Sequence, residues 1–136
     1  MYLLDTNACI AVLNGTSPVL AGRMRQCDPP AVVVCSVVKA ELLYGARRSA
    51  RVAQNLDLLK RFFEPLTCLP FDDACAEHYG TIRADLEAQG VPIGGNDLLI
   101  AATARAHDAT LVTRNSREFG RVAGLRHEDW EGSDAG

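Results

Sequence analysis

Four carboxylates occupy comparable places along this 136-residue chain. Asp5 directly follows the apolar run Met1–Leu4, and Glu41 lies just over one turn beyond Ser36, which closes the apolar run 31–35. Asp97 opens a strongly apolar segment, and Glu118 ends the polar stretch Thr113-Arg114-Asn115-Ser116-Arg117-Glu118 behind a last apolar run. If those runs are parallel strands, the acids gather outside the carboxyl edge of one sheet, where open α/β sheets hold their ligands. Without a counter-charge, two such acids about 4 Å apart repel by about 4 kcal/mol at an effective dielectric of about 20. A divalent cation removes that cost. Oxygen donors without paired imidazoles or thiolates suit Mg2+ or Mn2+, ions that activate water and stabilise the departing oxygen in phosphoryl displacement.

Taken singly, each acid also has a purely structural role open to it. Asp5 suits a helix N-cap, Glu41 a solvent-facing helix position, and Asp97 a cap or a dipole-favoured first turn. Glu118 suits a surface pair with Arg114 or Arg121, worth at most about 1 kcal/mol. The set carries the argument, because every acid falls at a carboxyl-end position. Other chemistries have less support. His78, His107 and His127 are not spaced with a nucleophile, and His107 stands where a cation complements a helix dipole. There is no G-x-S-x-G, and Gly94-Gly95 lacks the lysine and preceding strand of a phosphate loop. Five cysteines form an odd number with no C-x-x-C and fall mostly in apolar segments, as expected of buried thiols in a reducing compartment. Cys75 with His78 is the one pair that suggests a metal, and no second pair completes a four-ligand zinc site.

The elements that position these residues follow from periodicity. Strands are expected at residues 1–4, 31–35, 66–69 and 109–113, the second β-branched throughout, as in a strand buried on both faces. Between them, a short helix through Ala8–Leu13 stops at Asn14-Gly15, and Ser17-Pro18 opens another that runs to about Gln26 before Pro29-Pro30. Ser36 is placed to cap a third helix, and residues 50–62 continue helically with Leu56, Leu59 and Phe63 inward. Cys75, Tyr79, Ile82 and Leu86 give residues 73–89 the clearest helical period, with Gly90 as stop and Gly80 suggesting close packing. Residues 97–107 are apolar nearly all round, which marks a central helix. Strands alternating with helices predict a single α/β domain, residues 1–127, built on a short, mostly parallel sheet sandwiched by helices. Residues 128–136 read as an acidic, solvated tail.

Size and charge set the remaining bounds. With 48% apolar and 23% charged residues the chain is globular rather than disordered, and its length fits one domain. No charged segment precedes the first apolar run, and the longest uncharged stretch is broken by Asn14-Gly15-Thr16-Ser17-Pro18, so neither a signal peptide nor a membrane span is expected and the protein reads as cytoplasmic. The net charge of −3 argues against a bulk electrostatic attraction to nucleic acid. Yet four of the 17 acids lie in the expected tail and four in the proposed site, which leaves nine against 14 bases, 12 of them Arg. The body is therefore basic, compatible with a polyanion held at a cation-neutralised site.

Leu3-Leu4-Asp5-Thr6-Asn7, Ser36 with Glu41-Leu42-Leu43-Tyr44-Gly45, Pro92-Ile93-Gly94 with Asp97 and Ile100-Ala101, and Leu111-Val112-Thr113-Arg114-Asn115 with Glu118-Phe119 closely resemble a PIN-domain ribonuclease. Within that family the pattern is most similar to the VapC toxins of bacterial toxin–antitoxin pairs, including Val122-Ala123-Gly124-Leu125-Arg126 through Asp129-Trp130, and it covers essentially the whole chain. The resemblance implies the PIN fold, Mg2+ or Mn2+ at clustered acids, cleavage of a structured cellular RNA such as tRNA or rRNA, a cognate antitoxin and a homodimer. Position by position it implies Asp5, Glu41 and Asp97 as metal acids, with Glu118 at the most variable position, acting directly or through water. Thr6, Asn7, Thr113 and Asn115 would orient acids and waters, and Arg114 and Arg117 would hold the RNA backbone. The stretch from Glu41 to about Phe63 offers a surface for antitoxin or dimer contact. Two rivals are a phosphotransferase or phosphatase with Asp5 as nucleophile, which lacks the usual acid at Asn7, and a catalytically inactive PIN-like binding module.

Overall fold

The sheet is seeded by short β-branched and leucine runs whose side chains find apolar cover on both faces. In a computed structural model describing residues 1–132, β1 (Tyr2–Leu4) and β2 (Val32–Cys35) lie at its centre, and all four residues of β2 are buried. β3 (Thr67–Leu69), β4 (Thr110–Val112) and β5 (His127–Glu128) complete five strands in the order β3-β2-β1-β4-β5, all parallel. Register is set by apolar pairs: Leu3 faces Val33 on one side and Leu111 on the other, and Leu4 faces Val112. The chain adds β2 and β3 on one side of β1, then crosses to add β4 and β5 on the other. The strand order therefore reverses between β1 and β4.

Each helix begins and ends for an identifiable reason. α1 (Thr6–Asn14) is capped by Asp5 and closed by Gly15 in the left-handed conformation, and α2 (Pro18–Gln26) is capped by Ser17 with proline in its first turn. A 3-10 turn over Pro29–Ala31 leads into β2. α3 (Ser36–Arg47) and α4 (Val52–Phe63) form a hairpin, and α4 buries Leu59 and Phe63, as its periodicity predicts. Ser36 is the first residue of α3 rather than its cap; its hydroxyl donates to the Leu69 carbonyl at the end of β3 (3.4 Å).

α5 (Asp73–Gln89) and α6 (Gly95–Ala106) make the most extensive helix–helix contact, and α6 buries six of its 12 residues. Cys75, Ile82 and Leu86 form the buried stripe of α5, bounded by the Asp72 cap and Gly90 (φ 73°). Gly80 does not mark close packing: it lies on the exposed face, where a Cβ would meet nothing within 4 Å. α7 (Ser116–Phe119) is a single turn that buries Phe119.

The expected tail begins too early in the sequence reading. Glu128 lies in β5, where its carbonyl accepts from the Thr113 N–H (2.9 Å), so residue 128 is part of the sheet. Trp130 is buried against Tyr2, with ring centroids 5.0 Å apart, lies under the Arg23 guanidinium, and donates from Nε1 to Glu128 Oε1 at 2.8 Å. An indole can anchor an otherwise acidic segment because its large apolar face is removed from water while its N–H keeps a partner. The remainder of that expected tail, 133–136, lies outside the described residues. All five cysteines are free, and burial pushes the Cys35 thiol up to about 11.

Because Gly80 occupies open space inside a regular helix, Gly80→Ala should stabilise the fold by about 0.5–1 kcal/mol through lost unfolded-state freedom. A rise in the urea midpoint with unchanged slope is the expected result.

Candidate active site

β1 runs straight into Asp5, whose backbone N–H donates to the Val112 carbonyl (3.1 Å) and so continues the β1–β4 ladder. Its Oδ1 accepts from the Ala8 N–H (2.8 Å), capping α1, and the residue is only 5% exposed. The next residue, Thr6, donates from its hydroxyl to Glu41 Oε1 on α3. The other Glu41 oxygen accepts from Asn96 Nδ2 (3.0 Å) in the first turn of α6, beside Asp97. A single chain of hydrogen bonds thus ties the carboxyl end of β1 to α3 and to the start of α6. On the opposite side Thr113, buried after β4, stabilises the Asp5 carboxylate with its hydroxyl and accepts from the Asn115 N–H (2.9 Å).

The electrostatics show that these groups share one small region. Asp5 is raised above the ordinary carboxylate range, chiefly by burial; Thr113 and the Ala8 N–H pull it back, and the charges of Glu41 and Asp129 push it further up. Asp97 is raised by burial and then by the charges of Glu118, Asp5 and Glu41. Glu118, Asp5 and Glu41 thus lie near enough to Asp97 to raise it, and Asp5 stands at the end of β1, beside which the strand order reverses. Among the described residues, no three of these acids bring a carboxylate oxygen each within 4.8 Å of one another.

The residues expected around the acids divide. Thr6 holds a carboxylate directly and Thr113 lowers the Asp5 carboxyl, whereas Asn115 contributes its backbone to Thr113, and Ser36 faces β3. Asn7 is exposed and lines a shallow recess with Arg114 and Glu131 instead of bonding an acid. Arg114 and Arg117 are exposed beside Glu118. Three contributors escape a sequence reading. Asn96 fixes Glu41, Asp129 adds charge against Asp5, and Glu131 is raised by its own burial and by Asp129 and Asp5, with Arg114 opposing. The available signal for the last two was Trp130, an isolated large aromatic in an acidic stretch.

A five-stranded parallel sheet flanked by helices, with acids grouped near the carboxyl end of its central strand, defines the class as an α/β domain. The chain belongs to the PIN domain family, whose model matches residues 2–125. It is 40% identical over 129 residues to the tRNA(fMet)-specific endonuclease VapC of Shigella flexneri, covering 95% of this chain and 97% of that one. The crystal structure of VapBC2 from Rickettsia felis bound to a DNA fragment from their promoter contains a chain that superposes with a TM-score of 0.88 at 38% identity, covering 95% of this chain and 98% of that one. The DNA-bound VapBC of Salmonella typhimurium matches with a TM-score of 0.89 at 35% identity, covering 95% and 97%.

Because Asp97 is raised in the folded state, folding opposes its ionisation. That penalty is absent below the unfolded carboxylate range, grows as pH rises through it, and is complete above the folded-state value. In EDTA, Asp97→Asn should therefore raise the melting temperature at pH 7 and lose that advantage near the acid end of the range. Scanning calorimetry at both pH values checks the sign, and Mg2+ should stabilise the parent more than the variant.

Proposed function

We propose that the protein is a metal-dependent endoribonuclease toxin of a VapBC-type pair, cleaving RNA and blocked by a cognate antitoxin. The observation that carries this reading is the group of acids at the carboxyl end of β1: buried Asp5, Glu41 held between Thr6 and Asn96, and Asp97 beside Asn96, raised by burial and then by the charges of Glu118, Asp5 and Glu41. A divalent ion fits that donor set: the donors are all oxygen, and two of the acids are held above their ordinary range, Asp5 by burial and the charges of Glu41 and Asp129, Asp97 by burial and the charges of Glu118, Asp5 and Glu41. Asp5 and Asp97 would hold the ion, with Glu41 beside it and Glu118 acting through water. When bound, Mg2+ or Mn2+ lowers the pKa of water and neutralises charge on a phosphodiester.

The chain's own residues supply the rest. Thr6 and Asn96 hold one Glu41 oxygen each, so its carboxylate cannot swing away from the crevice. The Ala8 N–H fixes one Asp5 oxygen, a commitment that, with burial, also disfavours Asp5 as a free phosphoryl-accepting nucleophile. Arg114 and Arg117 are placed to hold flanking phosphates, which sets the register of the RNA without reading its sequence. Structured RNA, and tRNA above all, is the proposed substrate class, because the curated relatives in Shigella flexneri and Salmonella typhimurium are named as tRNA(fMet)-specific.

The antitoxin surface is proposed on α1, α3 and α4. Ile10, Leu43, Tyr44 and Leu58 are exposed there, and a groove lined by Ile10, Leu13 and Leu58 runs to Thr6 and Glu41 at the acids. An apolar segment seated in it would end at the crevice and close it. A homodimer would use part of the same helical hairpin. No helix of the described residues is long and apolar enough to cross a membrane, and the reading places the toxin in the cytoplasm with its substrate.

Purified protein with Mg2+ or Mn2+ should cut tRNA at discrete positions found by end sequencing. Cleavage should disappear in Asp97→Asn and in excess EDTA; cleavage that persists unchanged in EDTA overturns the metal-dependent reading. Thr6→Val, which frees one Glu41 oxygen, should slow cleavage by roughly 10–100-fold while circular dichroism and melting stay near those of the parent.

A further inference from the structure

The far end of the α5–α6 pair, away from Asp97, carries a second cluster of metal-ligating groups. Asp72 caps α5, Cys75 lies in its first turn, and His107 caps the carboxyl end of α6. One ligand atom from each, a carboxylate oxygen, Sγ and an imidazole nitrogen, lies within 4.8 Å of the other two. A tetrahedral ion with metal–ligand bonds of about 2.0–2.3 Å holds its ligands roughly 3.3–3.8 Å apart, so small side-chain rotations bring these three into position.

A second, independent observation points to a ligand at this place. Nε2 of His107 is shielded from solvent and has no hydrogen-bond partner, a condition native folds rarely leave unexplained. Nearby hydrogen bonds do not satisfy it: Cys75 donates its thiol to the Pro70 carbonyl (3.6 Å), and Asp72 Oδ1 accepts from the Cys75 N–H (3.1 Å). His78, the partner that sequence spacing suggests for Cys75, is occupied, because its Nδ1 accepts from Arg105 Nε at 2.8 Å.

We propose that Asp72, Cys75 and His107 bind a borderline-soft divalent cation, Zn2+ in the first instance, with water from the exposed Asp72 side as fourth ligand. A thiolate and an imidazole select Zn2+ over Mg2+, so this site is chemically distinct from the oxygen-only crevice. On binding, the Cys75 S–H bond breaks, its proton passes to solvent, and an S–metal bond forms with no change of oxidation state. The Asp72 carboxyl is held below its ordinary range, first by the Cys75 N–H, whereas burial holds the Cys75 thiol above its own, so the ion has to displace that proton. The ion joins the first turn of α5 to the last of α6, pinning the helix whose opposite end presents Asp97.

Co2+ titration tests this, since only a thiolate ligand gives a sulfur-to-cobalt charge-transfer band in the near ultraviolet. One equivalent should produce that band with tetrahedral d–d intensity, Zn2+ should displace it, and Asp97→Asn should leave it unchanged. Cys75→Ser and His107→Gln should each lose it, and each should lose the Zn2+-induced rise in melting temperature, expected at about 5 °C or more near saturation. Both variants are checked for folding by their metal-free melts. Absence of the band in the parent, or a band and a Zn2+ shift that survive in both variants, overturns the site.

Discussion

The structure turns on negative charge drawn together near the carboxyl end of the central strand. Asp5 is buried at the end of the central strand, and Asp97 feels Glu118, Asp5 and Glu41 in addition to its own desolvation. Interactions of that kind cost stability in a metal-free fold, and proteins retain such strain chiefly at functional sites. Neutral donors answer it in part: Thr6, Asn96 and the Ala8 N–H each meet a carboxylate oxygen, and Thr113 lowers the Asp5 carboxyl. They fix the acids without discharging them, and leave a polarity that suits a cation and, through it, a phosphodiester.

The sheet order makes this possible. Placing β1 between β2 and β4 sends the chain in opposite directions from one central strand, the topology that calls for a ligand-holding opening outside the carboxyl ends of β1 and β4. Asp5 and Thr113 sit on the two sides of that opening, joined through the Asp5 N–H bond to Val112. β5 then extends the sheet beside β4 and delivers Asp129 and Glu131 to the rim, held there by Trp130 against Tyr2 and Arg23. The acids beyond residue 127 that lower the bulk charge of the chain thus partly belong to the site. The basic body that remains is consistent with a polyanionic substrate.

Much of the architecture is readable from local pattern. Ser17-Pro18, Asn14-Gly15 and Gly90 after residues 73–89 mark helix ends through capping and left-handed backbone, which depend on a few adjacent residues. The continuous apolar runs mark strands buried on both faces. Two-residue β5 carries no such pattern; it exists because the exposed edge of β4 offers hydrogen bonds at Leu111 and Thr113. Gly80 was misleading for the converse reason, since a glycine in a helix has the same appearance whether its missing Cβ faces a neighbour or solvent.

The sequence by itself determined which acids would stand at strand and helix ends, because an apolar run followed by a carboxylate is a local feature of the chain. The motifs around them, Leu3–Asn7, Glu41–Gly45, Pro92–Gly94 with Asp97, and Leu111–Asn115, also carry the resemblance to the family that comparison with known proteins shows. Only the tertiary structure decided which neutral groups meet those acids, that Asn96 rather than Asn7 fixes a carboxylate, and that Cys75 faces His107 instead of His78. Those partners are separated by tens of residues, and their meeting depends on helix rotation and strand order. Such long-range packing has no periodicity to read.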